Sequence, residues 1–151
     1  SIGRVRSRLT EQTTWGEKLH LTVASDVREM LVQPFDARGL YQDAVLAMPE
    51  FVQEKRGIEI FHDLVEELIR SGTRDGEFVE CDAGFVLRAA NGVLFETLRE
   101  QGGPRGRMRV QRPLQAADFV LRALLVEPAD LDRIRAVTQR RLSEAAVPAR
   151  G

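Results

Sequence analysis

Apolar residues recur at three- and four-residue steps along most of this chain, a period that stacks side chains on one stripe of a helix and leaves the opposite side wet. The clearest case joins Ile58, Phe61, Leu64, Val65, Leu68 and Ile69. Glu66 and Arg70 occupy the favourable i,i+4 order on its polar side, and Gly72 or Gly76 supplies the residue able to take a positive φ where the helix stops. A second helix follows Asp82, whose carboxylate suits an N-cap. Its apolar positions, Phe85, Val86, Ala89, Ala90, Val93, Leu94, Thr97 and Leu98, fall in adjacent pairs every four residues and make a broad band. Asn91-Gly92 in mid-band would mark a tight turn in isolation. The rhythm stays in phase on both sides of it, so the helix is expected to continue. A helical glycine costs about 1 kcal/mol relative to alanine, so a close approach by another element is expected there.

The remaining segments follow the same rule. Thr14-x-x-Glu17 has the form of a capping box, and Leu19, Val23, Val27, Met30 and Leu31 then mark a helix that must end before Pro34. Phe35 to Gly39 is read as a connector and Leu40 to Met48 as a short helix, after which Pro49 opens the helix leading through Phe51 and Val52 into the Ile58 stripe. Between Gln101 and Pro113, glycine, proline and arginine predict a basic hinge; it lacks the lysine and hydroxyl residue of a phosphate-cradling loop. Pro113 starts a helix with Ala116, Ala117, Val120, Leu121, Leu124 and Leu125 on its apolar side, and Pro128 starts a last one carrying Leu131, Ile134, Val137 and Leu142. The arginines of that last helix, Arg133, Arg135, Arg140 and Arg141, are interleaved with acids and read as a solvated face. Glu77 to Glu80 is the single β-like stretch. The expected class is all-α, an antiparallel helical bundle, with residues 1–127 as its body and 128–151 as an additional helix and tail of the same domain.

Composition narrows the function more than the fold. At 151 residues the chain is expected to be one domain, and a net charge of -1 offers no basic field for nucleic acid. One cysteine, Cys81, excludes an intrachain disulfide framework. No apolar run approaches the ~20 residues that span a bilayer, so no membrane partner and a cytoplasmic location are expected. Ser1 in place of methionine suggests that an upstream segment was removed.

The run Gly72-x-x-x-Gly76-Glu77-Phe78, then Asp82, then Ala89-Ala90-Asn91-Gly92-Val93 in mid-helix, resembles the C-terminal regulatory domain of TetR-type bacterial transcription regulators. Gln115 to Leu125 is similar to that family's final dimerisation helix. The resemblance spans Thr14 to Val126 and implies a homodimer in which the helices after Asp82 and Pro113 form an intersubunit four-helix bundle. Val86, Ala89, Ala90, Val93, Leu94, Ala117, Val120, Leu121 and Leu124 would be its interface. It also implies an effector pocket among the preceding helices, for a small and mostly apolar molecule. The family's N-terminal helix-turn-helix is absent from this sequence, so DNA would be a partner only through a domain outside it.

Trp15, Met30, Tyr41, Phe61, His62, Asn91 and Phe95 combine apolar bulk with polar tips and are the candidate ligand-binding residues. Core filling is the competing reading for each of them. His20, His62 and Cys81 lack metal-ligand spacing, and no nucleophile-base pattern is visible, so neither metal, cofactor nor enzymatic activity is expected. The alternative function is a helical association module with a filled interior and no ligand pocket.

Overall fold

A computed structural model describes residues 14–31, 47–100 and 111–146. Five α-helices lie among these residues: α1 (Trp15–Leu31), α2 (Val52–Arg74), α3 (Ala83–Glu100), α4 (Arg112–Leu124) and α5 (Leu131–Ala146). Short 3-10 turns at Pro49–Phe51 and Pro128–Asp130 lead into α2 and α5, each with its proline where a missing amide is harmless. The fold is all-α. The connector at Phe35, the short helix from Leu40, Tyr41 and most of the basic hinge lie outside the described residues.

α1 is the central rod. It packs most extensively on α4, then on α5 and α2, and touches α3. Leu19, Val27, Ile69, Ala117, Leu121, Leu124 and Ile134 are fully sealed in the one apolar cluster that all five helices share. Such burial contributes about 25 cal/mol for each Å² of apolar surface withdrawn from water.

The glycine motif between α2 and α3 builds a clasp that fixes how the helices meet. A Cβ on Gly72 would lie 2.2 Å from Cδ2 of Phe78, so the buried Phe78 ring occupies the space a larger residue would fill. Gly76 then takes φ +79, which ends α2. Beyond it Glu77 reaches across to α1, where its carboxylate accepts from the amides of Trp15 at 2.9 Å and Gly16 at 2.7 Å. These are two of the orphan donors at a helix start, where a negative charge also meets the positive end of the helix dipole. Thr14 Oγ1 accepts from the Glu17 amide at 3.1 Å, giving one half of the capping box. The β-like stretch is an isolated antiparallel bridge between Phe78 and Leu125, flanked by the Val79 amide donating to Leu124 O and the Val126 amide to Glu77 O. The bridge holds the end of α4 against the segment between α2 and α3.

α3 runs unbroken through Asn91-Gly92, with Asp82 Oδ1 accepting from the Phe85 amide at 3.0 Å as its cap. The expected close approach at Gly92 is not found. A Cβ there would meet nothing within 4 Å, because this side of α3 faces outward. Glu66 and Arg70 pair on the wet side of α2. Among the described residues no helix is long and apolar enough to cross a membrane.

Candidate functional site

The clasp divides the bundle into a tight end and a looser one. Near the clasp the apolar side chains of Leu19, Phe78, Leu124 and Leu125 are at most 5 % exposed. Toward the last turns of α1 and the first half of α2, Met30, Leu31, Phe61 and Leu64 are only half-buried. The candidate ligand-binding residues distribute between these ends rather than gathering at one.

Trp15 belongs to the clasp. Its indole Nε1 donates to Asp75 Oδ2 at 2.7 Å and Lys18 Nζ lies 4.2 Å from the ring centroid, so it braces the α1 start against the α2 end. Asp75 and His62 are thirteen residues apart on or just beyond α2, about 20 Å at 1.5 Å per residue, which separates Trp15 from the other candidates. Phe61, His62 and Asn91 do come together. Asn91 Nδ2 on α3 and His62 Nε2 on α2 are 3.1 Å apart, and the Phe61 and His62 rings sit 6.5 Å apart at 55°. Burial pushes the His62 pKa down, against the raising influence of Asp63 and Glu59. A neutral imidazole accepting from the Asn91 amide at Nε2 carries its proton on Nδ1. Met30 lies half-buried near the end of α1, Phe95 is exposed on α3, and Tyr41 lies outside the described residues.

One carboxyl near this end went unnoticed in the sequence. Asp26 follows Trp15 by eleven residues, about three turns, so the two share the α1 face that meets α2. Burial, and secondarily the charge of Glu29, push its carboxyl up to about 7.

The expected interface residues divide in a different way. Ala117, Leu121 and Leu124 are 0 % exposed and Val120 is 4 % exposed, all within one chain. They pack inward in the core that the five helices of one chain share, and not on its outer surface. Ala90 and Leu94 are buried likewise, whereas Val86 and Val93 are half-buried and Ala89 is exposed. The exposed apolar residues of α3 and α4 include Phe85 and Phe119, 62 % and 60 % exposed, with Ala89, Gly92, Phe95 and Ala123. They belong to the outward sides of adjacent helices α3 and α4.

A buried polar chain ties α5 to the rest. His20 Nε2 is 2.8 Å from Asp118 Oδ1, and His20 Nδ1 is 2.7 Å from Thr138 Oγ1. Asp118 Oδ2 accepts from Arg135 Nε at 2.7 Å, and Glu17 Oε1 accepts from Arg133 Nη1 at 2.5 Å. Arg133 and Arg135 are therefore not part of a merely solvated face; they reach inward to carboxylates too deep to be left alone. Burial lowers the His20 pKa despite the neighbouring Asp118. Burial also acts to raise Asp118, but the hydrogen bonds from Arg135 and His20 outweigh it and hold its carboxyl below the ordinary range. The ion pair is Asp118 with Arg135, and neutral His20 donates from Nε2 while accepting the Thr138 hydroxyl at Nδ1. Acid, imidazole and hydroxyl stand in the order used by nucleophilic enzymes. With His20 at 0 % and Thr138 at 1 % exposure, no substrate can reach the hydroxyl, and the chain works as a lock between helices.

Among the described residues no group of three or more His, Cys, Asp or Glu could hold a metal ion. No protein-family model matches this sequence, and searches of curated proteins and of solved structures return no match.

Proposed function

We propose that this chain is the ligand-sensing and dimerising domain of a TetR-type bacterial transcription regulator, non-catalytic in itself. In this reading an apolar effector enters the looser end of the bundle and shifts the dimer between two arrangements. An upstream helix-turn-helix would convert that shift into altered DNA binding. The support from the sequence is the resemblance of the Gly72–Val93 and Gln115–Leu125 stretches. The observation that carries the dimer is the outward side of α3 and α4. Phe85 and Phe119 lie open to water there beside Ala89, Gly92 and Ala123, small residues that let a second helix approach closely. Exposed aromatics at this level are costly in a monomer and suit an interface burying about 800 Å² per partner.

A hundredfold change in operator affinity needs only ~2.7 kcal/mol of coupling, supplied as the difference in effector affinity between two states. The deciding measurement is sedimentation equilibrium at ~10 µM. A species of twice the 17.0 kDa chain mass is expected, reverting to the single chain in Phe119→Asp. A monomeric parent protein sinks the reading.

A further inference from the structure

The outward side of α3 is chemically lopsided about its middle. Phe85, Arg88, Ala89, Gly92, Phe95 and Glu96 are all exposed and, at steps of three and four residues, form one stripe. Gly92 stands near the centre of α3, where a glycine costs about 1 kcal/mol relative to alanine. Nothing in its own chain requires that glycine, since a Cβ there would meet no atom within 4 Å. A second helix crossing closely over it supplies the missing reason. α4 widens the face. Its end lies beside the segment leading into α3, through the Phe78–Leu125 bridge, so the two packed helices run antiparallel, with Phe119 and Ala123 exposed on α4.

The charges and sizes along the stripe indicate what crosses it. In a twofold antiparallel pairing, a side chain some places after the central residue lies level with the one as many places before it in the copy. Every helical stripe has this symmetry in position, but few have it in chemistry. About Gly92, Arg88 lies level with the partner's Glu96, and Phe95 with the partner's Ala89. A cation meets an anion and a large ring meets a small side chain, each twice over. Centring on Ala89 instead brings Glu96 level with the partner's Asp82, and a parallel pairing in register sets Arg88 on the partner's Arg88. Within one chain Arg88 and Glu96 are eight residues apart, about 12 Å along the helix, beyond the reach of an i,i+4 pair.

We propose that a second copy of this chain covers the face, its α3 crossing antiparallel over α3 at Gly92, with Arg88 paired to the partner's Glu96 on both sides of the crossing. This rests on the dimer reading above and deepens it by fixing which residues meet. The small groups at Ala89 and Gly92 let the two backbones approach, and the paired charges disfavour shifted and parallel alignments.

The test is sedimentation equilibrium of the 151-residue protein and four variants: Arg88→Glu, Glu96→Arg, the two combined, and Gly92→Leu. Each single reversal sets like charges together at both ends of the crossing and is expected to weaken the dimer about tenfold. The combined variant is expected to return to within about threefold of the parent, because the pairs are restored with their signs exchanged. Gly92→Leu, for which the single chain has room, is expected to lose the dimer while circular dichroism shows the helix content unchanged. A dimeric parent that neither reversal weakens, or whose combined variant is no tighter than the single ones, overturns the crossing and leaves the dimer reading standing. A Gly92→Leu dimer as tight as the parent does the same. A monomeric parent overturns both.

Discussion

Replacing Asp26 by asparagine should stabilise this protein, and the gain should depend on pH in one particular way. The carboxyl titrates at 3.8 in the unfolded chain and at about 7 in the folded one, because burial and then Glu29 disfavour its charge. Between those values the folded state holds a proton that the unfolded state has released. Stability contributed by the protonated group is therefore fully present below 3.8 and is lost as pH rises through about 7. A shift of this size corresponds to about 4 kcal/mol when the group is fully withheld from water, and its partial exposure lowers the expected penalty to about 2–4 kcal/mol. Asparagine keeps the shape and has nothing to ionise. The stability of Asp26→Asn minus that of the parent should rise from near zero below pH 3.8 to its full value above about pH 7. Urea denaturation followed by circular dichroism, at one protein concentration and at half-unit steps of pH, yields this difference curve directly, since every other titration is common to both proteins. A flat curve, or a variant less stable than its parent at pH 8, refutes the burial of this carboxyl.

Other outcomes follow from the clasp and the lock. Gly72→Ala should lower stability by about 1–2 kcal/mol, since overpacking against Phe78 exceeds the gain in helix propensity; thermal melts should show a fall of roughly 2–8 °C. Asp118→Ala leaves His20 sealed without its acceptor and Arg135 with only the exposed Asp132, and about 3 kcal/mol should be lost in urea titrations, with Asp118→Asn losing less. His20 is depressed below 6.5 in the folded state, so the unfolded chain takes up protons first; stability should be full above pH 6.5 and decline as pH falls beneath it. That decline is best measured in the Asp26→Asn background, where the opposing titration is absent, and a curve unchanged by a further His20→Asn substitution would argue against the buried imidazole.

Most of the helical framework was readable from spacing alone, because a stripe of period 3.6 survives wherever a helix covers a core. The Ile58–Ile69 stripe and the in-phase pattern across Asn91-Gly92 lie within α2 and α3 as expected. The Pro49 and Pro128 starts were equally plain, since proline removes a donor that a first turn does not need. What spacing does not tell is which of two apolar sides turns inward. α4 carries Ala117, Val120, Leu121 and Leu124 on one side and Phe119 and Ala123 on another, and the packing of α1 on the first decides between them. Nor did His20 and Asp118 announce themselves. Each sits among core positions ninety-eight residues from the other, and their pairing exists only once α1 and α4 are side by side. Trp15 was hard for the same reason: its role depends on Asp75, just past the end of α2. Tyr41 remains an expectation from the sequence.

The lock bears on where the chain may be cut. α5 enters the core through Leu131, Ile134 and Leu142, but its anchorage also runs through Thr138, Arg133 and Arg135. A truncated version ending at Glu127 would therefore do more than open an apolar trough: it would strand an imidazole and two carboxylates in a place built to keep water out. Such a shortened protein should clump or unravel on expression, so the final helix is a keystone and not an appendix.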